Sequence, residues 1–160
     1  MRAYVGLGAN LGDPPAQIRS ALQALARLPQ TRLLRSSRLY RTAPLGLPGQ
    51  ADYCNAACSL ESALDPPGLM QALLGLERAA GRERDGRRWG PRTLDLDLLH
   101  VVGVQLQTPG LCLPHPELAR RNFVLAPLAE IEPTLDIPGV GEVAALLAAV
   151  GRAGLQDWAD

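Results

Sequence analysis

Two Asp-Pro helix starts constrain the fold of this chain more than any other sequence feature. One pair lies at 13–14 and the other at 65–66, and each follows a stretch with the alternation of a β-strand. Aspartate can accept from the first amides of a helix, and the fixed φ of proline suits the first helical position. Apolar residues then recur at helical spacing, and Gly81 ends the second run. The sequence therefore predicts helices over about 14–28 and 66–80.

Four stretches alternate with the period of a strand, and they cover 2–9, 31–40, 52–61 and 93–101. With the two helices they give the order β-α-β-β-α-β, which is the split βαβ arrangement. We therefore predict an α+β fold with a ferredoxin-like βαββαβ core, in which helices pack on a mostly antiparallel sheet. The 160 residues suit one domain, 1–160, with one hydrophobic core.

Three further elements are expected after this core. Gly103 is expected to turn the fourth strand into a hairpin with 104–107, and a short helix is expected from His115 to about Asn122. A terminal helix is expected over 142–150. Within the core, 42–51 is rich in proline and glycine and is predicted to be a long loop, and such loops on small domains usually carry function.

The composition excludes some classes of function. Sixteen arginines, with no lysine, balance sixteen acidic residues, so nothing indicates wholesale nucleic-acid binding. No apolar run reaches the length of a membrane span, and no signal-peptide pattern follows the first residues. The three cysteines match no zinc or redox spacing, so we expect reduced, buried thiols. We expect a cytoplasmic protein without a membrane partner.

Asp95 and Asp97 are the sharpest chemical signal in the sequence. They alternate with Leu94, Leu96 and Leu98 on a predicted strand, so both carboxylates project from one face while the leucines enter the core. A solvated strand face that carries acids is the ordinary explanation of such a pattern. The alternative is a Mg²⁺ site, since carboxylate oxygens on one face can hold this ion while water and phosphate fill its other positions.

A loop of cations punctuated by glycine precedes this acidic strand. Its arginines are Arg82, Arg84, Arg87, Arg88 and Arg92. The loop could be a solvated segment or an RNA-binding patch. However, guanidinium groups match phosphate oxygens bidentately, and Mg²⁺ with arginine is the recurrent apparatus of phosphoryl transfer. The combination indicates a polyphosphate substrate, although the glycines at 6–12 lack the Lys-Ser or Lys-Thr ending of a Walker A sequence.

Aromatic and amide side chains indicate a flat heterocycle as a second ligand. Tyr53 and Asn55 share a strand face, so one aromatic plane and one amide with both donor and acceptor can address a planar, polar ring. Trp89 and Phe123 lie in segments otherwise rich in charge. For Phe123, ordinary core packing remains an equal alternative, because apolar residues follow it.

Further motifs extend along most of the chain. They are GANLG at 8–12, YRTAPLG at 40–46, DYCNA at 52–56, ER at 77–78 with GR at 81–82, RWGPRTLDLDLL at 88–99, LPHP at 113–116 and RNFVLAPL at 121–128. In this order they closely resemble the hydroxymethyldihydropterin pyrophosphokinase family. The resemblance implies an enzyme of folate biosynthesis that transfers the β,γ-diphosphate of ATP to the hydroxymethyl group of 6-hydroxymethyl-7,8-dihydropterin and releases AMP.

The resemblance also implies roles for individual residues. The catalytic set would be Arg82, Arg92, Asp95 and Asp97, in which the two aspartates bind two Mg²⁺ ions. ATP contacts are expected at Glu77, Arg84, Arg92, Leu98 and His115. Pterin contacts are expected at Thr42, Pro44, Leu45, Tyr53, Asn55, Trp89, Arg121 and Phe123. The partners would then be ATP and the pterin, and the working unit is expected to be a monomer.

Two other classes of protein compete with this interpretation. A two-metal phosphodiesterase would also use paired carboxylates and arginines, but it normally adds further ligands, and His100 and His115 are the only histidines. An RNA-binding ferredoxin-like domain would use the arginine loop, with Tyr53 for stacking, but it leaves Asp95 and Asp97 unexplained. Formation of AMP that requires the pterin and Mg²⁺ would discriminate against both.

Overall fold

The computed structural model describes residues 1–43, 51–81 and 94–158. The strands are β1 (Arg2–Ala9), β2 (Thr31–Ser36), β3 (Tyr40–Thr42), β4 (Tyr53–Ser62), β5 (Asp95–Val101), β6 (Leu106–Thr108), β7 (Leu111–Leu113), β8 (Asp136–Ile137), β9 (Gly141–Glu142) and β10 (Gln156–Asp157). The α-helices are α1 (Pro14–Ala26), α2 (Pro66–Ala79), α3 (Asn122–Ile131) and α4 (Val143–Val150). None of the helices in these ranges is both long enough and apolar enough to cross a membrane.

In the described part of the chain, six strands form one sheet, and every neighbouring pair in it is antiparallel. β1 lies between β4 and β5, which makes it a central strand. The other edge of β4 pairs with β2 over one half and with β3 over the other, and β10 extends the sheet beyond β3. The predicted combination of helices with a mostly antiparallel sheet is therefore confirmed.

Both Asp-Pro helix starts are confirmed, because the caps that they form are local. The side chain of Asp13 accepts from the amide of Ala16 at 3.2 Å, and that of Asp65 accepts from the amide of Gly68 at 2.8 Å. A Cβ at Gly68 would lie 2.7 Å from the Asp65 carboxylate, so glycine suits this position. At the far end of α2, Gly81 has a φ of +88, the left-handed backbone that glycine adopts without steric cost.

The continuous strand predicted over 31–40 is wrong, because the chain leaves the sheet between β2 and β3. At this break the hydroxyl of Ser37 accepts from the amide of Ala57 at 3.0 Å and donates to the carbonyl of Arg38 at 2.7 Å. A side chain therefore occupies a position that a regular ladder would give to the backbone. The alternation of the sequence does not reveal that a side chain takes the place of the backbone here.

The hairpin predicted at Gly103 is wrong in its partner. β6 pairs with β7 rather than with β5, and the two strands are joined by a Pro-Gly pair at 109–110, which is a turn signal in its own right. Gly103 has a φ of +79 and allows the tight turn in which the amide of Val104 donates to the carbonyl of Val101 at 3.0 Å. That turn ends β5 and starts no ladder with it.

The short helix predicted from His115 to Asn122 is also wrong. That segment contains one 3-10 turn at Leu118–Arg120, and α3 begins where the predicted helix was to end. α3 is apolar around most of its circumference, so it lacks the stripe that marks an amphipathic helix. It also contains Pro127, which normally argues against a helix interior. The terminal helix, α4, lies within one residue of its predicted range.

Two helical layers cover opposite faces of the sheet. α1 and α2 pack on one face, where β1 contributes Val5 and Leu7 to the buried cluster. α3 and α4 pack on the other face, to which β1 contributes Tyr4. The alternation along β1 thus assigns its side chains to two different layers. Cys54 and Cys58 are fully buried, as expected, and form no disulfide in the described part of the chain, whereas Cys112 is only half-buried.

Candidate active site

A row of small and polar residues crosses the sheet on the face that α3 covers. Gly8 of β1 pairs with Asp95 on one side and with Asn55 on the other, and Asn55 pairs in turn with Tyr40. Paired residues of an antiparallel sheet project to the same face. The row therefore places a carboxylate, a gap without a side chain and an amide next to one another.

The neighbouring rows add three further predicted residues to this surface. Gly6 pairs with Asp97, and Thr42 pairs with Tyr53. Residues two apart on a strand share a face, so Asp97, Tyr53 and Thr42 lie on the same side as Asp95 and Asn55. The predictions that Asp95 shares a face with Asp97, and Tyr53 with Asn55, are confirmed.

These rows form the floor of a cavity of about 220 Å³. Its described lining residues are Gly6, Leu7, Gly8, Thr42, Ala43, Tyr53, Asn55, Ala56, Asp95, Asp97, Arg121, Phe123 and Val124. Phe123 and Val124 come from the first turn of α3, and Arg121 directly precedes that helix. The structure thus brings together Thr42, Tyr53, Asn55, Asp95, Asp97, Arg121 and Phe123, all of which the sequence singled out.

Thr42 and Asn55 form a buried hydrogen-bonded pair in the cavity floor. The Thr42 hydroxyl donates to Asn55 Oδ1 at 2.8 Å. Only 9% of Thr42 and 7% of Asn55 is exposed. A hydrogen bond between two buried polar groups meets little competition from water, so it holds both side chains in place. The orientation of the Asn55 amide is therefore set by the protein before any ligand enters.

Two tyrosine-glutamate hydrogen bonds fix α3 against the sheet. The Tyr40 hydroxyl donates to Glu130 Oε1 at 2.6 Å, and the Tyr4 hydroxyl donates to Glu132 Oε1 at 3.0 Å. Burial, followed by the bond to Glu132, raises the pKa of Tyr4 to about 12. Both bonds hold the C-terminal end of the helix on the sheet, while Phe123 lies in its first turn.

Asp95 and Asp97 fit a divalent cation by their chemistry and by their surroundings. Both carboxylates are half-buried at the cavity wall, and their cross-strand partners, Gly8 and Gly6, place no side chain beside them. Oxygen ligands with space alongside suit Mg²⁺, which usually keeps several positions for water and phosphate. Within residues 1–43, 51–81 and 94–158, no group of three or more His, Cys, Asp or Glu could hold a metal. The described residues thus offer no third ligand of the kind that a two-metal phosphodiesterase would need.

Glu77 and Leu98 lie on the opposite side of the sheet from the cavity floor. Glu77 is only 3% exposed, and its Oε2 accepts from the amide of Leu96 at 2.7 Å. The side chain of Leu98 is 3% exposed and belongs to the core layer under α1 and α2. Neither residue lines the cavity, and their predicted ATP contacts remain predictions.

His115 lies close to the cavity without lining it. Its amide donates to the carbonyl of Leu99 at 2.8 Å, and its Nδ1 accepts from the amide of Glu117 at 3.1 Å. Burial, followed by the positive charge of Arg121, lowers the pKa of His115 below its ordinary 6.5, although Glu117 and Asp95 oppose that shift. The ring is therefore neutral at neutral pH, with its proton on Nε2, which is free of the Glu117 contact.

Several predicted residues lie outside the described ranges. They are Pro44 and Leu45 in the predicted pterin loop and Arg82, Arg84, Trp89 and Arg92 in the arginine loop. Conversely, sequence reasoning did not single out Gly6, Leu7, Gly8, Ala56 or Val124 as cavity residues. Ala56 and Val124 are chain neighbours of predicted residues, so adjacency could have found them, whereas the residues at 6–8 reach the cavity through the register of β1.

Comparison with known proteins shows which family this chain resembles. The family model described as 7,8-dihydro-6-hydroxymethylpterin-pyrophosphokinase matches residues 4–133. The 2-amino-4-hydroxy-6-hydroxymethyldihydropteridine pyrophosphokinase of Methylorubrum extorquens is 46% identical over 138 residues, which are 86% of this chain and 87% of that protein. The protein of the same name from Pseudomonas aeruginosa is 44% identical over 155 residues, which are 97% of this chain and 95% of that protein.

A solved structure supports the fold at low sequence identity. The wild-type HPPK-DHPS of Plasmodium falciparum with SDX-DHP superposes with a TM-score of 0.68 and 12% identity. The match covers 92% of this chain and 43% of the solved chain, so this protein spans less than half of that larger polypeptide. The likeness concerns the fold alone.

The family match covers most of the chain, and the two curated relatives match over 87% and 95% of their own length at more than 40% identity. The motifs that carry the resemblance also bring seven predicted residues together around one cavity. On these grounds, the chain belongs to the 7,8-dihydro-6-hydroxymethylpterin-pyrophosphokinase family.

Proposed function

We propose that the protein transfers the β,γ-diphosphate of ATP to the hydroxymethyl group of 6-hydroxymethyl-7,8-dihydropterin, with release of AMP, as a step of folate biosynthesis. One observation carries the proposal. A single cavity has a carboxylate pair at one wall and an aromatic and amide surface at the other. The family match over residues 4–133 supports the same reaction. The curated relatives have the name of this activity.

The pterin occupies the part of the cavity between β4 and α3. Tyr53 and Phe123 supply aromatic planes from opposite sides, and Asn55 supplies an amide that can hydrogen-bond the polar edge of a flat ring. Arg121 adds a cation at the same end, 5.8 Å from the centre of the Phe123 ring. A planar, polar heterocycle matches this combination better than a flexible chain or a sugar would.

The triphosphate of ATP approaches the wall that Asp95 and Asp97 form. Two carboxylates repel an anion, so a cation is needed before a triphosphate can be accommodated there. We propose that Asp95 and Asp97 hold two Mg²⁺ ions. When bound, these ions would neutralise charge on the transferred group and help to align it. Arg82, Arg84 and Arg92 remain proposed phosphate ligands on the strength of their sequence motif.

The contribution of the protein is mainly positioning. The Phe123 and Tyr53 rings orient the pterin, so that its hydroxymethyl oxygen faces the wall with the carboxylates. A loose transition state of phosphoryl transfer requires little help from a strong base, so we assign none. His115, neutral and with a proton on Nε2, can donate to the nucleotide without adding a competing positive charge.

We further propose that β1, α1, β2, β4, α2 and β5 constitute the ferredoxin-like core. Their spatial order is β2, β4, β1, β5, and each neighbouring pair is antiparallel, which supports the predicted βαββαβ connectivity. The chain is proposed to act as one domain, which its 160 residues suit, and as a monomer.

Formation of AMP from ATP tests the proposal directly. The purified protein is incubated with ATP and Mg²⁺, with and without 6-hydroxymethyl-7,8-dihydropterin, and both AMP and the pterin diphosphate are quantified. We expect AMP and pterin diphosphate in equal amounts and only in the complete mixture. AMP production that does not require the pterin, or cleavage of nucleic acid, would contradict the proposed function.

A further inference from the structure

The C-terminal segment, residues 151–158, follows α4 and reaches the edge of the sheet beyond β3. The amide of Leu155 donates to the carbonyl of Arg152 at 3.1 Å, which turns the chain before β10 begins. Leu155 packs on the layer of α3 and α4, whereas Trp158 packs on the layer of α1 and α2. The C-terminal segment therefore passes around the edge of the sheet from one face to the other.

One end of this segment is bonded to the first residue of α3. Nδ2 of Asn122 donates to the carbonyl of Gly151 at 3.1 Å and to the carbonyl of Ala153 at 2.9 Å. An amide NH₂ has two hydrogens, so these bonds use both of its donors. The chain neighbours of Asn122 are Arg121 and Phe123, which line the cavity. The two bonds therefore act on the turn that presents Phe123 to the cavity.

The other end of the segment is attached to β3. Gln156 of β10 pairs with Arg41, and the amide of Trp158 donates to the carbonyl of Leu39 at 3.0 Å. The guanidinium of Arg41 lies 3.9 Å from the centre of the Trp158 ring, within the range of a cation–π contact. β3 also contains Thr42, which lines the cavity. The C-terminal segment is thus bonded to two elements of the same cavity, α3 and β3.

These contacts connect the two sides of the space in which the pterin is proposed to lie. Phe123 belongs to α3, and Tyr53 belongs to β4, which pairs with β3. The bonds from Tyr4 and Tyr40 hold the C-terminal end of α3, whereas those of Asn122 hold its first turn. A flat ring between two aromatic planes needs them at a set separation, and a shift of about 1 Å lowers productive binding strongly.

We propose that Asn122 is a positioning residue, which holds the first turn of α3 against the C-terminal segment and so sets the separation between Phe123 and Tyr53. The inference rests on the proposed function, because it requires the pterin to bind beside Phe123. Asn122 acts through the segment and through Phe123, so its own side chain needs no contact with the ring. Without its two bonds, the ligand must order the turn itself, which lowers the net affinity.

Calorimetric titration of the intact protein with 6-hydroxymethylpterin tests the inference. Asn122→Asp keeps the shape of the side chain but places an oxygen where Nδ2 donates, while its negative charge in the first turn favours the helix itself. Asn122→Ala removes the donors without adding a charge. Tyr4→Phe is the matched control, because it removes a hydrogen bond from the other end of α3.

We expect both Asn122 variants to raise the Kd of the pterin by about fivefold, since the net worth of one hydrogen bond corresponds to about that factor. In the alanine variant, KM for the pterin should rise in parallel, while KM for ATP changes by less than about twofold. Tyr4→Phe should bind the pterin as the wild type does. An unchanged Kd in Asn122→Ala, an effect confined to Asn122→Asp, or an equal effect of Tyr4→Phe would overturn the role of Asn122.

A double variant shows whether Asn122 acts through the C-terminal segment. Trp158→Ala removes the ring that Arg41 contacts and loosens the segment at β3. Combined with Asn122→Ala, it should raise the Kd by less than the product of the two single effects, because both changes release the same connection. A double variant with the full product would overturn this route.

The variant Phe123→Ala separates failure of this inference from failure of the proposed function. If Phe123→Ala weakens pterin binding while Asn122→Ala leaves it unchanged, the pterin is in the cavity and only the inference is wrong. If the wild type does not bind the pterin, or if Phe123→Ala has no effect on binding, the pterin site itself is wrong and the inference is overturned with it.

Discussion

Glu77 Oε2 accepts a 2.7 Å hydrogen bond from the amide of Leu96, the residue that separates Asp95 from Asp97. β5 is an edge strand of the six-stranded sheet, and its paired edge faces β1. The buried carboxylate on α2 therefore satisfies an amide that the ladder does not use. This contact fixes the segment of β5 that carries both aspartates, although Glu77 lies behind the cavity and not in its wall.

Loss of this acceptor should destabilise the protein. Glu77→Ala leaves a buried amide unsatisfied, which costs about 2 kcal/mol in the free energy of unfolding. Glu77→Gln retains a side-chain oxygen at the same reach, so its effect should be smaller. Urea unfolding of both variants measures the difference, and equal losses for alanine and glutamine would show that the bond to Leu96 contributes little.

The Phe123 ring should contribute to pterin affinity more than to turnover at saturation. Phe123→Ala removes one aromatic wall of the cavity, and we expect the Kd of 6-hydroxymethylpterin to rise by about tenfold, the equivalent of about 1.4 kcal/mol. Phe123→Tyr keeps an aromatic plane and should bind nearly as the wild type does. Calorimetry measures both values. Similar affinities of the alanine variant and the wild type would show that the pterin does not bind in this part of the cavity.

The hydroxyl of Tyr40 should stabilise the packing of α3 on the sheet. Tyr40→Phe removes the 2.6 Å bond to Glu130 while keeping the ring, and a hydrogen bond to a charged group is worth about 1.5 to 3 kcal/mol. Because Glu130 is 28% exposed and can bond water instead, we expect the low end, about 1.5 kcal/mol. Tyr4→Phe is the matched variant at the second bond. Unfolding midpoints in urea identical to that of the wild type would contradict this account.

Local signals explain the parts of the fold that the sequence predicted correctly. Asp13 and Asp65 cap helices within three residues of themselves, so neighbouring residues contain the whole cause. The break at Ser37 depends on Ala57, twenty residues away in the chain, and no local pattern announces it. α3, which contains an interior proline, makes bonds to Tyr4 and Tyr40, more than eighty residues away in the chain, and no local pattern predicts these contacts.

The candidate site was predictable in its residues but not in its internal contacts. Alternation along a strand places Asp95 with Asp97 and Tyr53 with Asn55, because faces follow from the period alone. The pairing of these strands through β1 requires the register, and the bond between Thr42 and Asn55 requires the register of β3 as well. That long-range information appears only in the structure.

Acid should destabilise the protein through His100. The side chain is 1% exposed, its Nδ1 has no hydrogen-bond partner among the described residues, and burial lowers its pKa below the ordinary 6.5. The unfolded chain therefore takes up a proton near pH 6.5 while the folded protein does not, so stability is full above that pH and falls below it. His115 contributes in the same direction.

The variant His100→Phe tests this dependence because it keeps a ring beside Tyr4, with which His100 stacks at 6.1 Å. We expect the fall in Tm between about pH 8 and about pH 5 to be smaller in the variant than in the wild type, since one buried titrating group is gone. Thermal unfolding across this range measures the effect. Parallel curves for the two proteins would assign the acid sensitivity to other groups.

The central claim is that Asp95 and Asp97 hold the cation that allows pyrophosphoryl transfer in this cavity. The most direct measurement is the rate of pterin diphosphate formation by the variant Asp97→Asn, together with its Kd for the pterin. The substitution keeps the size of the side chain and removes its charge. We predict that turnover falls by about a thousandfold or more, because a metal ion contributes several kcal/mol to such a transition state, while pterin affinity changes little. Turnover within a fewfold of the wild type at the same Mg²⁺ concentration would contradict the account.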